Sequence, residues 1–315
     1  MMKKKIQNIF ILTGAYDDQY LRTRKDRTTV CTSAGKRVTL YRAIENATDK
    51  PVVLLSPQPR GRDAAESLPE ISTRFGTQIQ HFAKASGVRK IRFLLDMLHY
   101  ARHVAKHTRS GDILIVDNYE LIYVLAIQYC RLLGRRNSIL LEYEDGKHLI
   151  DKGIWRQMSG FAEWLARPWI DGAILATPAL GERLPPAIPK VLVPGILREG
   201  IVFNAAPTSN QPVVFLYSGS LDVERGGPLL LSYLEAGDFP PNFEIHITGQ
   251  GHFTDRLLAV QNRFPNTIHF HGTASQKELV WIRSLCHFGL NLISASQFSS
   301  SRNFKYSQNA ITSWL

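Results

Sequence analysis

The chain predicts an α/β protein of two domains, each a parallel sheet wound on both faces by helices. Three observations predict it. Apolar runs at 213–218 (VVFLYS), 243–248 (FEIHIT) and 268–271 (IHFH) each end in a glycine-bearing loop, and a helix-like segment follows each loop. The length of 315 residues suits about two domains. A polar, proline-bearing stretch at 205–212 (AAPTSNQP) separates two such series of elements.

In the first series, residues 6–12 predict a strand closed by Gly14, and a helix is expected within 30–47. Residues 51–56 (PVVLLS) read as a strand, followed by a loop at 57–63 with two prolines and two arginines. Residues 88–107 predict an amphipathic helix. Ile91, Leu94, Leu95 and Leu98 form its apolar stripe, while Arg92, Asp96, His99, His103 and Lys106 line the opposite face. Then come a buried strand at 112–116 (DILIV), a helix at 121–133 ended by Gly134, a strand at 138–143 and a helix at 155–166. A strand at 172–176, a short helix at 178–184 and a strand at 191–193, stopped by Pro194-Gly195, complete a domain over 1–203. The linker is expected at 204–212 and a partial second domain at 213–315. A cleft between two such domains is a usual place for a ligand.

Composition narrows the function. The hydrophobic fraction of 44% fills ordinary cores. No run reaches the ~18–20 apolar residues that span a bilayer. The start, Met1-Met2-Lys3-Lys4-Lys5 before 9–12, superficially suggests a signal peptide. Its apolar part is too short, so a first strand is the better reading. Cys31, Cys130 and Cys286 form neither a metal spacing nor a disulfide framework, which points to a reducing cytoplasm. The net charge of +11 lies wholly in residues 1–200, because 201–315 hold seven basic and seven acidic side chains. A basic half implies an anionic partner: a diphosphate-linked substrate, an anionic membrane surface or nucleic acid. No zinc spacing, RNA-binding aromatic signature or helix-turn-helix pattern is present, so no nucleic acid is expected.

GSLDVERGG (219–227), HITGQG (246–251) and IHFHG (268–272), followed by a helix and a short strand, resemble the donor-binding domain of GT-B glycosyltransferases of the family 4 type. The resemblance extends to the strand ending at Gly14, to 112–126 (DILIVDNYELIYVLA), to 140–148 (LLEYEDGKH) and to 191–196 (VLVPGI). It implies two Rossmann-like doubly wound domains, the second incomplete. It also implies a stereochemically retaining transfer of sugar from a nucleotide-sugar donor to a lipid-linked or saccharide acceptor, as in surface polysaccharide biosynthesis. No cofactor beyond the donor is implied, and no metal. Donor binding then falls to Gly14, Gly219, Ser220, Arg225, Gly249, Gly251 and Gly272. Ser220 and Gly226 stand where many members carry basic residues, leaving one cation in the loop. Residues 306–315 (YSQNAITSWL) do not resemble the helix with an acidic residue that the family places there, so the chain is expected to be truncated. A truncated, catalytically inactive relative acting as a binding protein is therefore the alternative. A nicotinamide oxidoreductase fits poorly, because Gly14 stands alone with no G-x-G-x-x-G.

Breaking a sugar–diphosphate bond builds negative charge on the leaving group, which a preorganised cation and N–H donors stabilise. Arg225 is the candidate cation; a solvated arginine, or one paired with Asp222 or Glu224, is the plain alternative. Asp117 and Glu144 are the candidates for positioning or deprotonating an acceptor hydroxyl, ahead of Glu142 and Asp145. Carboxylates at strand ends also cap helices. His99, His103 and His107 share one helix face but lack a carboxylate partner, so they read as a solvated basic face. Arg22, Arg24, Lys25 and Arg27, with Arg89, Lys90, Arg92, Arg102 and Lys106, suit attachment to anionic lipid at about 1 kcal/mol each. The location that follows is cytoplasmic, peripheral at the inner face of the plasma membrane. Ordinary solubilising charge explains the same residues without a membrane.

Overall fold

The computed structural model describes residues 8–16, 34–59, 67–87, 91–144, 153–193, 207, 211–290 and 292. The chain divides into two compact units, 1–198 and 199–315. Of the expected linker at 204–212, only Pro207, Gln211 and Pro212 are among the described residues.

Unit 1 runs β1 (Ile9–Leu12), α1 (Ala34–Thr48), β2 (Val52–Ser56), β3 (Ile71–Phe75), β4 (Gln78–Phe82), α2 (Arg92–His107), β5 (Ile113–Asp117), α3 (Leu121–Leu132), β6 (Ser138–Tyr143), α4 (Gly153–Ala166), β7 (Gly172–Leu175), α5 (Pro178–Gly181) and β8 (Lys190–Leu192). The strand order is β3-β4-β2-β1-β5-β6-β7-β8, parallel throughout except for β3. The central strands are nearly continuous apolar runs because both faces are covered. Along β1, Ile9 and Ile11 pack with Leu40, Tyr41 and Leu54. Phe10 and Leu12 face the other way, onto Tyr100, Val104, Tyr123 and Val124 of α2 and α3. α3 stops at Gly134, whose φ of 75° favours glycine.

Unit 2 runs β9 (Val213–Ser218), α6 (Gly227–Ala236), β10 (Phe243–Thr248), α7 (Thr254–Arg263), β11 (Ile268–Phe270), α8 (Gln276–Leu285) and β12 (Phe288–Gly289). Its four strands are parallel in the order β11-β10-β9-β12. Ile245, Ile247 and Ile268 face Leu230, Leu234, Leu257 and Val260. Val214 and Leu216 face Ile282 and Cys286 on the opposite side. α8 begins with a reciprocal cap, in which Ser275 accepts from the Glu278 amide and Glu278 accepts from the Ser275 amide.

The structure corrects the sequence reading twice. The hairpin β3–β4 was not expected, although Gln78, Gln80 and Phe82 alternate with exposed or half-exposed neighbours after a turn at Gly76. The amphipathic helix is present, but its buried face is Met97, Tyr100, Ala101, His103, Val104 and Ala105. Ile91, Leu94 and Leu98 are exposed instead. The expected solvated histidine face therefore fails at His103, which is buried beside Glu70 at 3.3 Å, with its ring tilted against that of His107 at 4.4 Å between centroids. Cys130 and Cys286 are buried free thiols, and Cys31 lies outside the described residues. Among the described residues no helix is long and apolar enough to cross a membrane.

Burial, with a smaller contribution from His107, holds the His103 imidazole down to about 4, against the opposing pull of Glu70. An unfolded histidine titrates near 6.5. As pH falls through that value the unfolded chain takes up a proton that the folded unit refuses, so stability is lost towards pH 4. The expected loss between pH 7 and 5 is about 2 kcal/mol, and His103→Gln should remove that slope. Urea unfolding at the two pH values measures it; equal slopes in both proteins would contradict the assignment.

Candidate functional site

In unit 1, the chain runs from β1 to β2 on one side of the sheet and reaches β5 on the other, so the order reverses between β1 and β5. Ligands of open α/β sheets bind beyond the carboxyl ends of strands at such a point. Thr13 and Gly14 follow β1 there, Asp117 and Asn118 close β5, and Glu142 and Glu144 lie at the end of β6. Asp117 and Glu144 are thus brought together, with Gly14 on the neighbouring strand end.

The residue that joins them is Arg37 of α1. Its guanidinium lies 2.7 Å from Asp117 and 3.7 Å from Glu144, with both ends of the closer pair buried. Arg37 Nη1 donates to Thr13 Oγ1 at 3.4 Å, and Thr13 Oγ1 donates to Asp117 at 3.3 Å. Burial works against the Arg37 cation, but Asp117, then Tyr41, Glu142 and Glu144, outweigh it and raise its pKa. Burial, reinforced by Glu142, pushes the Tyr41 hydroxyl well above its ordinary range. Asn118 adopts φ 54°. That conformation suits asparagine. The Asn118 amide donates to the Glu142 carbonyl, and its Oδ1 accepts from the Glu144 amide at 2.9 Å. β5 and β6 are thereby locked in register at the site. Gly14 sits in close quarters, since a Cβ there would stand 3.1 Å from the Tyr123 hydroxyl. Arg37 and Thr13 were not singled out from sequence. Asp145 and the basic cluster at 22–27 lie outside the described residues.

In unit 2 the order reverses at β9, and the glycine loops meet at the carboxyl ends of β9, β10 and β11. Gly249, at φ 130°, packs so tightly that a Cβ would sit on the Gly219 carbonyl oxygen. A Cβ at Gly251 would approach the Leu221 carbonyl carbon to 2.6 Å. Backbone bonds lace the loops together: the Gly219 amide donates to Thr248, Leu221 to Gln250, and Gly249 to Gly272. The Gly226 and Gly227 amides donate to Val223 and Asp222, and the Gly251 amide to Thr254 Oγ1. Gly219, Gly249, Gly251 and Gly272 are therefore brought together, but the amides of the first three are engaged within the protein. Ser220 donates to Asp222, which also accepts from the amide and Nδ1 of His252. These bonds hold the Asp222 carboxyl down to about 2, Ser220 contributing most. Arg225 is exposed and, among the described residues, forms no ion pair; its carbonyl accepts from Tyr217. The expected C-terminal region from 293 onward lies outside the described residues.

No protein-family model matches the sequence, and no curated protein matches it. Solved structures do. The lipopolysaccharide outer core galactosyltransferase WaaB, in its apo form, superposes with a TM-score of 0.55 at 15% identity, over 89% of this chain and 71% of that one. HepE of Anabaena, in complex with UDP, gives 0.52 at 11% over 92% and 75%. The catalytic domain of starch synthase IV from Arabidopsis thaliana, bound to ADP and acarbose, gives 0.53 at 10% over 90% and 77%. At these identities the likeness is one of fold: the chain has the Rossmann-like, doubly wound α/β architecture of GT-B glycosyltransferases.

Removing one partner of a buried ion pair strands the other charge. Arg37→Met should therefore destabilise unit 1 by about 3–5 kcal/mol in urea unfolding. Adding Asp117→Asn in that background should recover part of the loss. Fully additive losses would show that the two groups are not coupled.

Proposed function

We propose that this protein is a glycosyltransferase that moves a sugar from a nucleotide-sugar donor to a lipid-linked or saccharide acceptor in surface polysaccharide biosynthesis. The observation that carries the reading is the set of interlocked glycine loops at three parallel strand ends of unit 2, on a GT-B fold. Two solved neighbours of that fold hold UDP and ADP. In this reading Gly219, Ser220, Gly249, Gly251 and Gly272 form the surface on which the donor rests. Gly14, which the resemblance also assigns to donor binding, belongs to unit 1. The loops' close approach leaves backbone, rather than side chains, facing a ligand.

Arg225 supplies the cation for the diphosphate. Because so many loop amides already have partners, the charge on the leaving group falls chiefly to this guanidinium. Glu144 meets the acceptor hydroxyl. Asp117 is bound to Arg37 and Thr13 and so serves to hold the strand ends in place. A proton leaving the hydroxyl passes to the carboxylate of Glu144, whose backbone amide is held by Asn118.

Isothermal calorimetry with UDP- and ADP-sugars tests the donor site. Arg225→Ala should weaken binding by about 1.5–3 kcal/mol, as for a hydrogen bond to a charged group. Unchanged affinity in a folded variant would remove Arg225 from the site. A second reading, binding without transfer, is favoured by the engaged amides and by Ser220 and Gly226 in place of basic residues. Donor binding with no release of nucleotide and no labelled product in the presence of saccharide acceptors would select it.

The anionic membrane surface belongs to the same proposal, with a cytoplasmic, peripheral location. α2 and the residue before it expose Ile91, Phe93, Leu94 and Leu98 beside Arg92 and Arg102. Sedimentation with anionic vesicles should exceed that with neutral ones and weaken as salt rises. Equal sedimentation with both at low salt would count against it.

A further inference from the structure

We propose that Glu244, His246 and His269 form a binding site for a divalent transition-metal ion, zinc by the chemistry of its donors. The site lies on unit 2, on the strands that run into the glycine loops at Gly249 and Gly272. Its ligands come from adjacent strands in register. His246 of β10 pairs with His269 of β11, and Glu244 precedes His246 by two residues, so all three share one face of the sheet. The alternate residues Ile245, Ile247 and Ile268 turn to the opposite, fully apolar face.

The donor atoms of the three residues lie within 4.8 Å of one another. Both imidazoles converge on one carboxylate oxygen. Glu244 Oε1 is 3.2 Å from His246 Nε2 and 3.1 Å from His269 Nε2. Zinc bonds of about 2.0–2.1 Å at tetrahedral angles set neighbouring donors about 3.3 Å apart. Two edges of the tetrahedron are thus already in place, and the donors across the third lie within 4.8 Å. Imidazole and carboxylate are donors that suit this class of ion.

The support behind the ligands fits as well. A metal-bound histidine characteristically donates its other ring N–H to a fixed acceptor, which sets its tautomer. His246 Nδ1 lies 2.8 Å from His271 Nε2, and the two rings are stacked. With an ion on His246 Nε2, the Nδ1 proton points at His271. His271 in turn meets the edge of Trp281 on α8. His246 is 6% exposed, while the side chains of Glu244 and His269 are 26% and 32% exposed. The site therefore has a rigid floor and an open side. Three protein ligands leave a fourth position for water.

Titration of the full 315-residue chain with zinc chloride against a chromophoric chelator tests this. One ion per chain is expected, at micromolar affinity or tighter. His269→Gln and Glu244→Gln should each weaken it about tenfold or more, and His271→Phe, which removes the support, by about tenfold. His107→Gln, in the separate histidine group on α2, should bind as the parent does. Should His269→Gln fail to fold, Glu244→Gln carries the test. Absence of stoichiometric zinc in the parent overturns the proposal, as does wild-type affinity in a folded Glu244→Gln or His269→Gln. Loss of the ion in His107→Gln would also overturn it, by placing the metal on α2.

Discussion

The guanidinium of Arg37 is the constraint on which unit 1 depends at its ligand-facing end. A parallel sheet aims the carboxyl ends of its strands at one edge, and here three of those ends carry Asp117, Glu142 and Glu144 or a hydroxyl that must be satisfied. Like charges so close destabilise one another, and burial costs each of them further. A single cation contributed by α1 offsets both effects. It reaches β1 through Thr13, β5 through Asp117 and the end of β6 through Glu144. Such a cluster is weak support for stability in itself, since apolar residues of the same shape often do as well. What it supplies is position: the polar strand ends can have only one arrangement around that cation.

Unit 2 solves the corresponding problem without charge. Its strand ends are joined by backbone that approaches backbone, which only glycine permits at Gly249. The loops are rigid because their amides and carbonyls bond to one another. Rigidity there has a cost for anion binding. An amide that donates to Gly272 or Thr248 cannot also donate fully to a phosphate. The two units therefore differ in kind: unit 1 presents preorganised charge, and unit 2 presents a preorganised shape with an exposed arginine at its rim.

Much of this architecture was legible in the sequence, for a physical reason. Apolar, β-branched runs bounded by turn residues mark strands, so 138–143, 213–218 and 243–248 were legible to the residue, even though Glu142, Glu244 and His246 interrupt two of them. Gly134 ended α3 because a left-handed residue was needed there. The hairpin β3–β4 escaped notice because its strands mix Ser72, Thr73, Arg74, Gln78 and Gln80 with few apolar residues. On α2, periodicity identified a helix but not its depth. Small Ala101 and Ala105 let the helix approach closely, and His103 is buried with them while the larger Leu94 remains outside. At the candidate site Asp117 and Glu144 were legible as polar residues ending apolar runs. Arg37 was not, because its partner lies 80 residues away and nothing local distinguishes it from the other arginines.

The exposed face of α2 also bears on how charge and apolar surface divide the work in the proposed membrane attachment. Basic side chains near an anionic surface contribute about 1 kcal/mol each, and salt screens them within a Debye length of about 10 Å. Lys106 is partly spent on Glu70, at 2.6 Å. Burying an exposed leucine or phenylalanine contributes about 1.5–3 kcal/mol and is not screened. Ile91, Phe93, Leu94 and Leu98 are each more than a third exposed. On those magnitudes, in the proposed attachment the charge of unit 1 governs the approach to an anionic surface. In the same proposal the exposed apolar turn at the start of α2 governs retention.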